Sequence, residues 1–420
     1  MATLDHPRLR PLSGRRVEHE GLSYVALVDP AGVFVEPVLV PLEAFQNVVR
    51  HFDGQTSLLA IQARILRESG QFVSSSQLAQ LVDQLDRAHV LDGPAFAEFV
   101  TQYHAQTSRP AALAGRSYSA SERALRAELL RYFTAEGGAG EPGECTATNL
   151  RGILCPHIDF GRGGPVYGSA YKALVEESDA EVFVIFGVAH QACRRRFVMT
   201  RKDFETPLGT AVTDRSYVDR IVEVAGEAYF DDELAHRTEH SIEFQTVFLR
   251  HLLGGKRSFA IVPILIGSFQ DLMERGIDPI ADPEVATFVQ ALKHAEAGCT
   301  RKVAYIGGID LCHVGPEFGD ARPVDELMLK TVAEFDDGML TNATAADPQA
   351  WFAQAAQIQN AYRVCGLAAT YVMLHAIGEV EGRRLRYDQA VNAEKTGCVT
   401  FAGVSYHTVN PKTHPEAATP

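Results

Sequence analysis

Residues 181–190 read EVFVIFGVAH: an apolar run that begins at Val182 and ends at His190, with no charge between Glu181 and the histidine. A continuous apolar run of this length, flanked by turns, is what a strand buried on both faces looks like. Four other runs share the texture: Gly152–Cys155, Phe259–Gly267 (FAIVPILIG), Lys302–Ile306 (KVAYI) and Gly397–Tyr406. Helical stretches alternate with them at Tyr167–Glu176, Asp214–Val224, His240–Leu253, Pro323–Phe335, Pro348–Ala356 and Gly366–Ile377. The alternation predicts an α/β unit over 149–408, with a central, mostly parallel sheet flanked by helices.

In open α/β sheets, ligands gather beyond the carboxyl ends of the strands. The residues just past the apolar runs are therefore the first to inspect. His157 follows the first run, in CPHIDF, and His190 closes GVAH; Cys312 and His313 follow KVAYIGGID. The segment AHRTEHSIEFQ adds His240, with Glu243 one helical turn later and His236 one turn earlier. Two imidazoles and a thiolate form a sensible set for iron, copper or zinc. Each residue alone has a plainer reading: a histidine after a strand as a loop donor, a buried cysteine as a small hydrophobe. Their joint placement at the ends of separate strands is what favours a site. Cys155, Cys193, Cys299 and Cys398 stay in the hydrophobe class. Cys365, beside Gly366 at the start of an apolar helix, either packs on the sheet or is a thiol activated at a helix N-terminus.

Upstream, residues 1–100 have a different rhythm. Ser23–Val28 and Gly32–Val40 are β-rich runs separated by the turn Asp29-Pro30-Ala31, which predicts a hairpin. Helical patterns follow over Leu42–Phe52, Ser57–Glu68 and Ser75–His89, the second stopped from merging with the first by Asp53-Gly54. A hairpin and three short helices make a small winged-helix-like α+β domain. Residues 101–148 read as a linker with an amphipathic helix, Ser119–Phe133, and a Gly/Pro-rich loop, and 409–420 as a frayed tail.

With 420 residues, 46% hydrophobic and 22% charged, the chain has the composition of an ordinary globular protein of two domains. A net charge of −14 argues against a nucleic-acid binder, and no apolar run approaches the ~20 residues that span a bilayer. The N-terminus lacks the apolar segment of a signal peptide. The seven cysteines are scattered and never in a CxxC pair, which suits reduced thiols and a cytoplasmic location.

From Arg109 to His407 the sequence resembles the Memo family, also called AmmeMemoRadiSam system protein B. The matching motifs are RPAALAGRSY, PHIDF, GVAHQ, FETPLGTA, TEHSIEFQ, VPILIGS, IDLCHVGPEF and VCGLAATYVMLHAI. That resemblance implies the fold of class III extradiol dioxygenases and metal ligands at His157, His190 and Cys312, with His240 as an acid/base residue. Fe(II) is the expected metal, with Cu(I) or zinc as other options; no HExxH motif accompanies a zinc-hydrolase reading. Glu239 or Glu243 would orient His240, while Asp310, Asp159 and His313 would support the site. The resemblance thus suggests a dioxygenase-like oxidoreductase, and the alternative is a metal- or peptide-binding module without turnover. The sequence departs from many members at Asp159-Phe160, Ala189-His190-Gln191, Thr238 and Leu367-Ala368. Over residues 1–100 it resembles the PqqD-like peptide-recognition domains, which implies a peptide or a radical-SAM protein as partner.

Overall fold

The computed structural model describes residues 4–34, 36–191 and 193–409, so the expected tail lies outside them apart from Val409. The chain divides into two compact units, residues 1–106 and 107–420. No described helix is long and apolar enough to cross a membrane.

The first unit holds a three-stranded antiparallel sheet, Ser13–His19, Leu22–Val28 and Val38–Pro41 in that order. The expected pairing is there, but its second strand starts only at Val38 rather than Gly32, and the connection begins with a turn fastened by Asp29, whose carboxylate accepts from Ala31 N and Val33 N at 2.9 Å. Ser13–His19 was not foreseen, because SGRRVEH is exposed along nearly its whole length and carries no buried alternation to read. The expected helix over Leu42–Phe52 breaks into Leu42–Asn47 and a 3-10 turn at Val49–His51. Leu58–Ser69 is capped by Ser57 and closed by Gly70 in the left-handed conformation; Ser75–Arg87 is opened by a capping box of Ser74 and Gln77. A fourth helix, Pro94–Ala105, follows. Val25, Leu27, Val40, Val49, Ile61, Ile65, Leu78 and Val82 are among the buried residues that these elements share.

The second unit is built on an eight-stranded sheet. Four parallel strands form its centre, in the order Leu150–Cys155, Val303–Gly308, Val182–Val188, Ala260–Ile266. All four are runs picked out by hydropathy, and nearly every residue in them is buried. The flanks are antiparallel. Phe197–Met199 pairs with Ala260–Ile266, and Cys398–Thr408 pairs with Leu150–Cys155. The latter strand runs backwards because it returns from a long hairpin with Val380–Val391. Val380–Val391 lacks the continuous apolar signal because VEGRRLRYDQAV is largely half-buried and carries charges along its length. The amphipathic stretch before residue 148 forms the helix Glu122–Thr134, whose Leu125, Leu129 and Phe133 are buried in the core of this unit.

Because the central strands are parallel, their carboxyl ends lie at one side of the sheet. His157, His190 and the segment Ile309–Cys312 all leave the sheet there. A fully buried helix, His240–Leu253, packs its first turn against the same ends.

Candidate metal centre

That packing depends on two glycines. A Cβ on Gly187 would lie 2.5 Å from Ser241 Oγ, and one on Gly308 would lie 2.7 Å from Ser241 O. The missing side chains let the helix start approach two strands at once. Ser241 Oγ accepts from Val188 N at 3.0 Å, and Gln245 Nε2 donates to Pro156 O at 2.9 Å. The polar residues of TEHSIEFQ are thus fasteners between the helix and the strand ends.

Glu243 is the heaviest of these fasteners. Its carboxylate is paired with the fully buried Arg109 at 2.5 Å and accepts from Ala112 N, Leu113 N and Tyr118 OH. Arg109 in turn donates to the carbonyls of His236 and Glu239. The expectation that Glu243 orients His240 is replaced by this role, because all its acceptor capacity goes to the 109–118 segment. His236 is buried and contacts Val198 O through Nε2 at 3.0 Å.

The fold brings together His157, His190 and His240. One nitrogen from each lies within 4.8 Å of the others, a group that could hold a metal ion. Ring centroids are 5.0 Å apart for His157–His190, 5.1 Å for His157–His240 and 4.8 Å for His190–His240. His157 is buried, whereas His190 and His240 are partly open to solvent.

Each ring already uses Nδ1. His157 Nδ1 is 2.9 Å from Gly308 O, which only accepts, so the ring must donate there. The Nδ1 atoms of His190 and His240 both sit 3.0 Å from the Glu239 carboxylate. That carboxylate also accepts from His190 N, His240 N and Ser241 N, capping the helix it precedes. With Nδ1 of each ring facing an acceptor, Nε2 is the nitrogen left to bind a metal, which histidine can hold through either ring nitrogen. Of the two carboxylates expected to orient His240, Glu239 is therefore the one in place.

Charges around the group follow from burial and from these contacts. Burial lowers the pKa of His157 well below the ordinary value, reinforced by the neighbouring charges of His190 and His240. For His190 burial also works downward, but the hydrogen bond and charge of Glu239 win and raise it. Burial would raise the Glu239 carboxyl; its bonds to the two imidazoles hold it well below the ordinary value instead. Asp310 is pushed up to about 6 by burial, against the pull of His157 N and Ile158 N, which donate to its Oδ1 at 3.0 and 3.2 Å. Its Oδ2 is 3.6 Å from His157 Nε2.

The cysteine beside the imidazoles is Cys365. Its Sγ is 3.3 Å from His157 Nε2. It is presented by a strained loop: Gln359, Asn360 and Arg363 all have φ between 50° and 54°. Each such residue costs on the order of 1 kcal/mol or more and persists only where its surroundings insist on it. Here Asn360 Oδ1 accepts from Val364 N at 2.9 Å, and Arg363 is held by Asp320. The sequence offered one signal for Cys365, its place before an apolar helix.

Cys312, expected among the ligands, does not join this group. Its backbone is zipped to Thr400, and its Sγ donates to Asp336 Oδ1 at 3.1 Å. Asp159 is likewise not beside an imidazole. It caps the helix Phe160–Glu177 through Arg162 N and pairs with the Arg162 side chain. His313 contacts Leu311 O through Nδ1 at 3.2 Å and packs edge-on to Phe318; burial lowers its pKa to about 4.

Comparison with known sequences agrees with this architecture. The family model of the Memo-like proteins matches residues 109–408. A MEMO1 family protein of Aquifex aeolicus is 25% identical over 391 residues, covering 90% of this chain and 95% of its own length. One from Pyrococcus furiosus is 30% identical, and one from Methanopyrus kandleri 28%; they cover 72% and 71% of this chain but 98% of their own lengths. On a match spanning most of the sequence, residues 109–408, with the three imidazoles inside it, the chain belongs to the Memo-like family.

Proposed function

We propose that this protein is a metal-dependent oxidoreductase of the non-heme type, holding one transition-metal ion through His157, His190 and His240. The observation that carries this reading is the cluster itself: one nitrogen from each of three imidazoles within 4.8 Å of the others, with Nδ1 of each ring facing Gly308 O or the Glu239 carboxylate. Cys365 lies beside His157 as a soft donor available to the same ion. An imidazole-rich set flanked by two carboxylates suits Fe(II); the nearby thiol gives Cu(I) its claim.

Bound there, Fe(II) or Cu(I) would supply Lewis acidity and one-electron chemistry. The protein's own residues supply the rest. Glu239 fixes two imidazole tautomers and balances charge. Asp310, with Oδ2 3.6 Å from His157 Nε2, is placed to hold or release a proton beside the group. Asp310 thus stands beside His240 as a second candidate for acid/base work. The partial exposure of His190 and His240 leaves the group open to a small molecule on that side.

A second reading, a binding module that recruits a partner, draws on the first unit. An apolar pocket of about 370 Å³ there is lined by Pro41, Ala44, Val48, Ile65, Leu78 and Leu81 among others, beside the strand Val38–Pro41. A precursor peptide, with a radical-SAM protein as the enzyme acting on it, is the partner proposed. All seven cysteines are free, in keeping with a cytoplasmic location.

Anaerobic purification followed by metal analysis and oxygen-uptake assays tests the first reading. Metal at one ion per chain, lost in His157→Ala and accompanied by substrate-dependent oxygen uptake, is the expected result. Metal without uptake on any phenol or peptide offered would favour the binding module.

A further inference from the structure

A cavity of about 250 Å³ adjoins the imidazole group and shares Cys365 with it as a wall. It opens between the ends of Val182–Val188 and Ala260–Ile266, the strained loop and the start of the helix Leu367–Ala376. Ala189, next to His190 in the chain, forms part of the same wall. The apolar lining comes chiefly from Val188, Ile266, Phe269, Val364, Leu367 and Ala368.

Three of its polar side chains are committed elsewhere, and Ser268 adds a hydroxyl at the exposed rim. Arg363 is the one charged residue among those lining it, and its guanidinium is paired with Asp320 at 2.8 Å and donates to His313 O. Asn360 is folded back onto Val364, and Gln270 Nε2 donates to Glu274. An anion entering would find its only cation already neutralised. A cation would find no carboxylate in the wall. Burying either without a partner is costly, whereas apolar surface is welcome. Roughly 150 Å³ suffices for a benzene ring, so this space admits a substituted ring or a branched aliphatic group.

We infer that this cavity receives an uncharged, largely apolar part of the molecule on which the metal centre acts, and that it discriminates against carboxylates and ammonium groups. The inference rests on the metal-centre reading for the reacting end of the ligand, and on the cavity itself for the rest.

The test uses the full chain and three probes of one shape: benzyl alcohol, benzoate and benzylamine. Ligand-observed NMR should give benzyl alcohol an affinity at least tenfold above the other two. Its binding should slow alkylation of Cys365 and leave that of the exposed Cys145 unchanged. Ser268 is an exposed residue at the cavity wall. Ser268→Trp should weaken benzyl alcohol tenfold or more while metal content stays at the wild-type value. Benzoate or benzylamine binding as tightly as the alcohol, no binding by any probe, or no effect of Ser268→Trp would overturn the inference. Selective binding of the alcohol, with protection of Cys365, in a chain that takes up no metal would uphold the cavity and overturn the metal reading.

Discussion

Two buried clusters of metal-type side chains follow strands of the same sheet, and they differ in one respect. Around Cys312 every donor has an acceptor: Sγ donates to Asp336 Oδ1 at 3.1 Å, Tyr387 OH to Oδ2 at 2.9 Å, and Gln389 Nε2 to Tyr387 OH at 2.9 Å. Around His157, His190 and His240 the Nδ1 atoms face oxygen acceptors, and one nitrogen from each ring lies within 4.8 Å of the others. The first cluster is closed and contributes to stability. The second gathers three imidazoles around one point and suits a ligand. Residue type at a strand end therefore does not make a metal site; unspent donor capacity does.

The largest effect should come from removing one side of this contrast. His157→Ala is expected to lower metal affinity by more than a hundredfold, as removal of one of a few ligands does, while Cys312→Ala keeps wild-type metal content. Metal analysis after anaerobic dialysis decides it, and loss of metal in Cys312→Ala would erase the distinction between the clusters.

Next in size is the frame of the open group. Arg109→Met leaves Glu243 as an unpaired buried charge, and chemical denaturation should show a loss of about 3–5 kcal/mol. The closed cluster is worth less. Asp336→Ala strands the Cys312 thiol and the Tyr387 hydroxyl, at a cost of about 1–3 kcal/mol, with metal content unchanged.

The smallest effect is a pH dependence. Burial raises the Asp336 carboxyl above its ordinary value, opposed by hydrogen bonds from Thr400, Cys312 and Tyr387. The folded chain thus holds a proton that the unfolded chain releases. The stability tied to it is full below the unfolded carboxyl pKa of about 3.9 and falls as pH rises through the raised folded value. Asp336→Asn should flatten that slope when denaturation midpoints are compared across pH.

How much of this was legible beforehand follows the same physics. The four central strands announced themselves because burial on both faces forces continuous apolar sequence. Ser13–His19 and Val380–Val391 did not, since an exposed or half-buried strand is free to be charged. His157 and His190 were legible as strand-end residues, and His240 as part of TEHSIEFQ. Glu239 was one of two candidate carboxylates, and only the helix geometry shows that it clamps two imidazoles while Glu243 clamps Arg109. Cys365 outranks Cys312 for a reason no linear pattern holds: three left-handed residues turn its loop back to His157, whereas Thr400 and Asp336 occupy Cys312.

Metal K-edge X-ray absorption on the anaerobically loaded full chain tests the central claim most directly. The expected spectrum shows imidazole scattering that weakens in His157→Ala, His190→Ala and His240→Ala and is indifferent to Cys312→Ser. A spectrum without imidazole scattering, or one whose sulfur scattering disappears in Cys312→Ser, would contradict it.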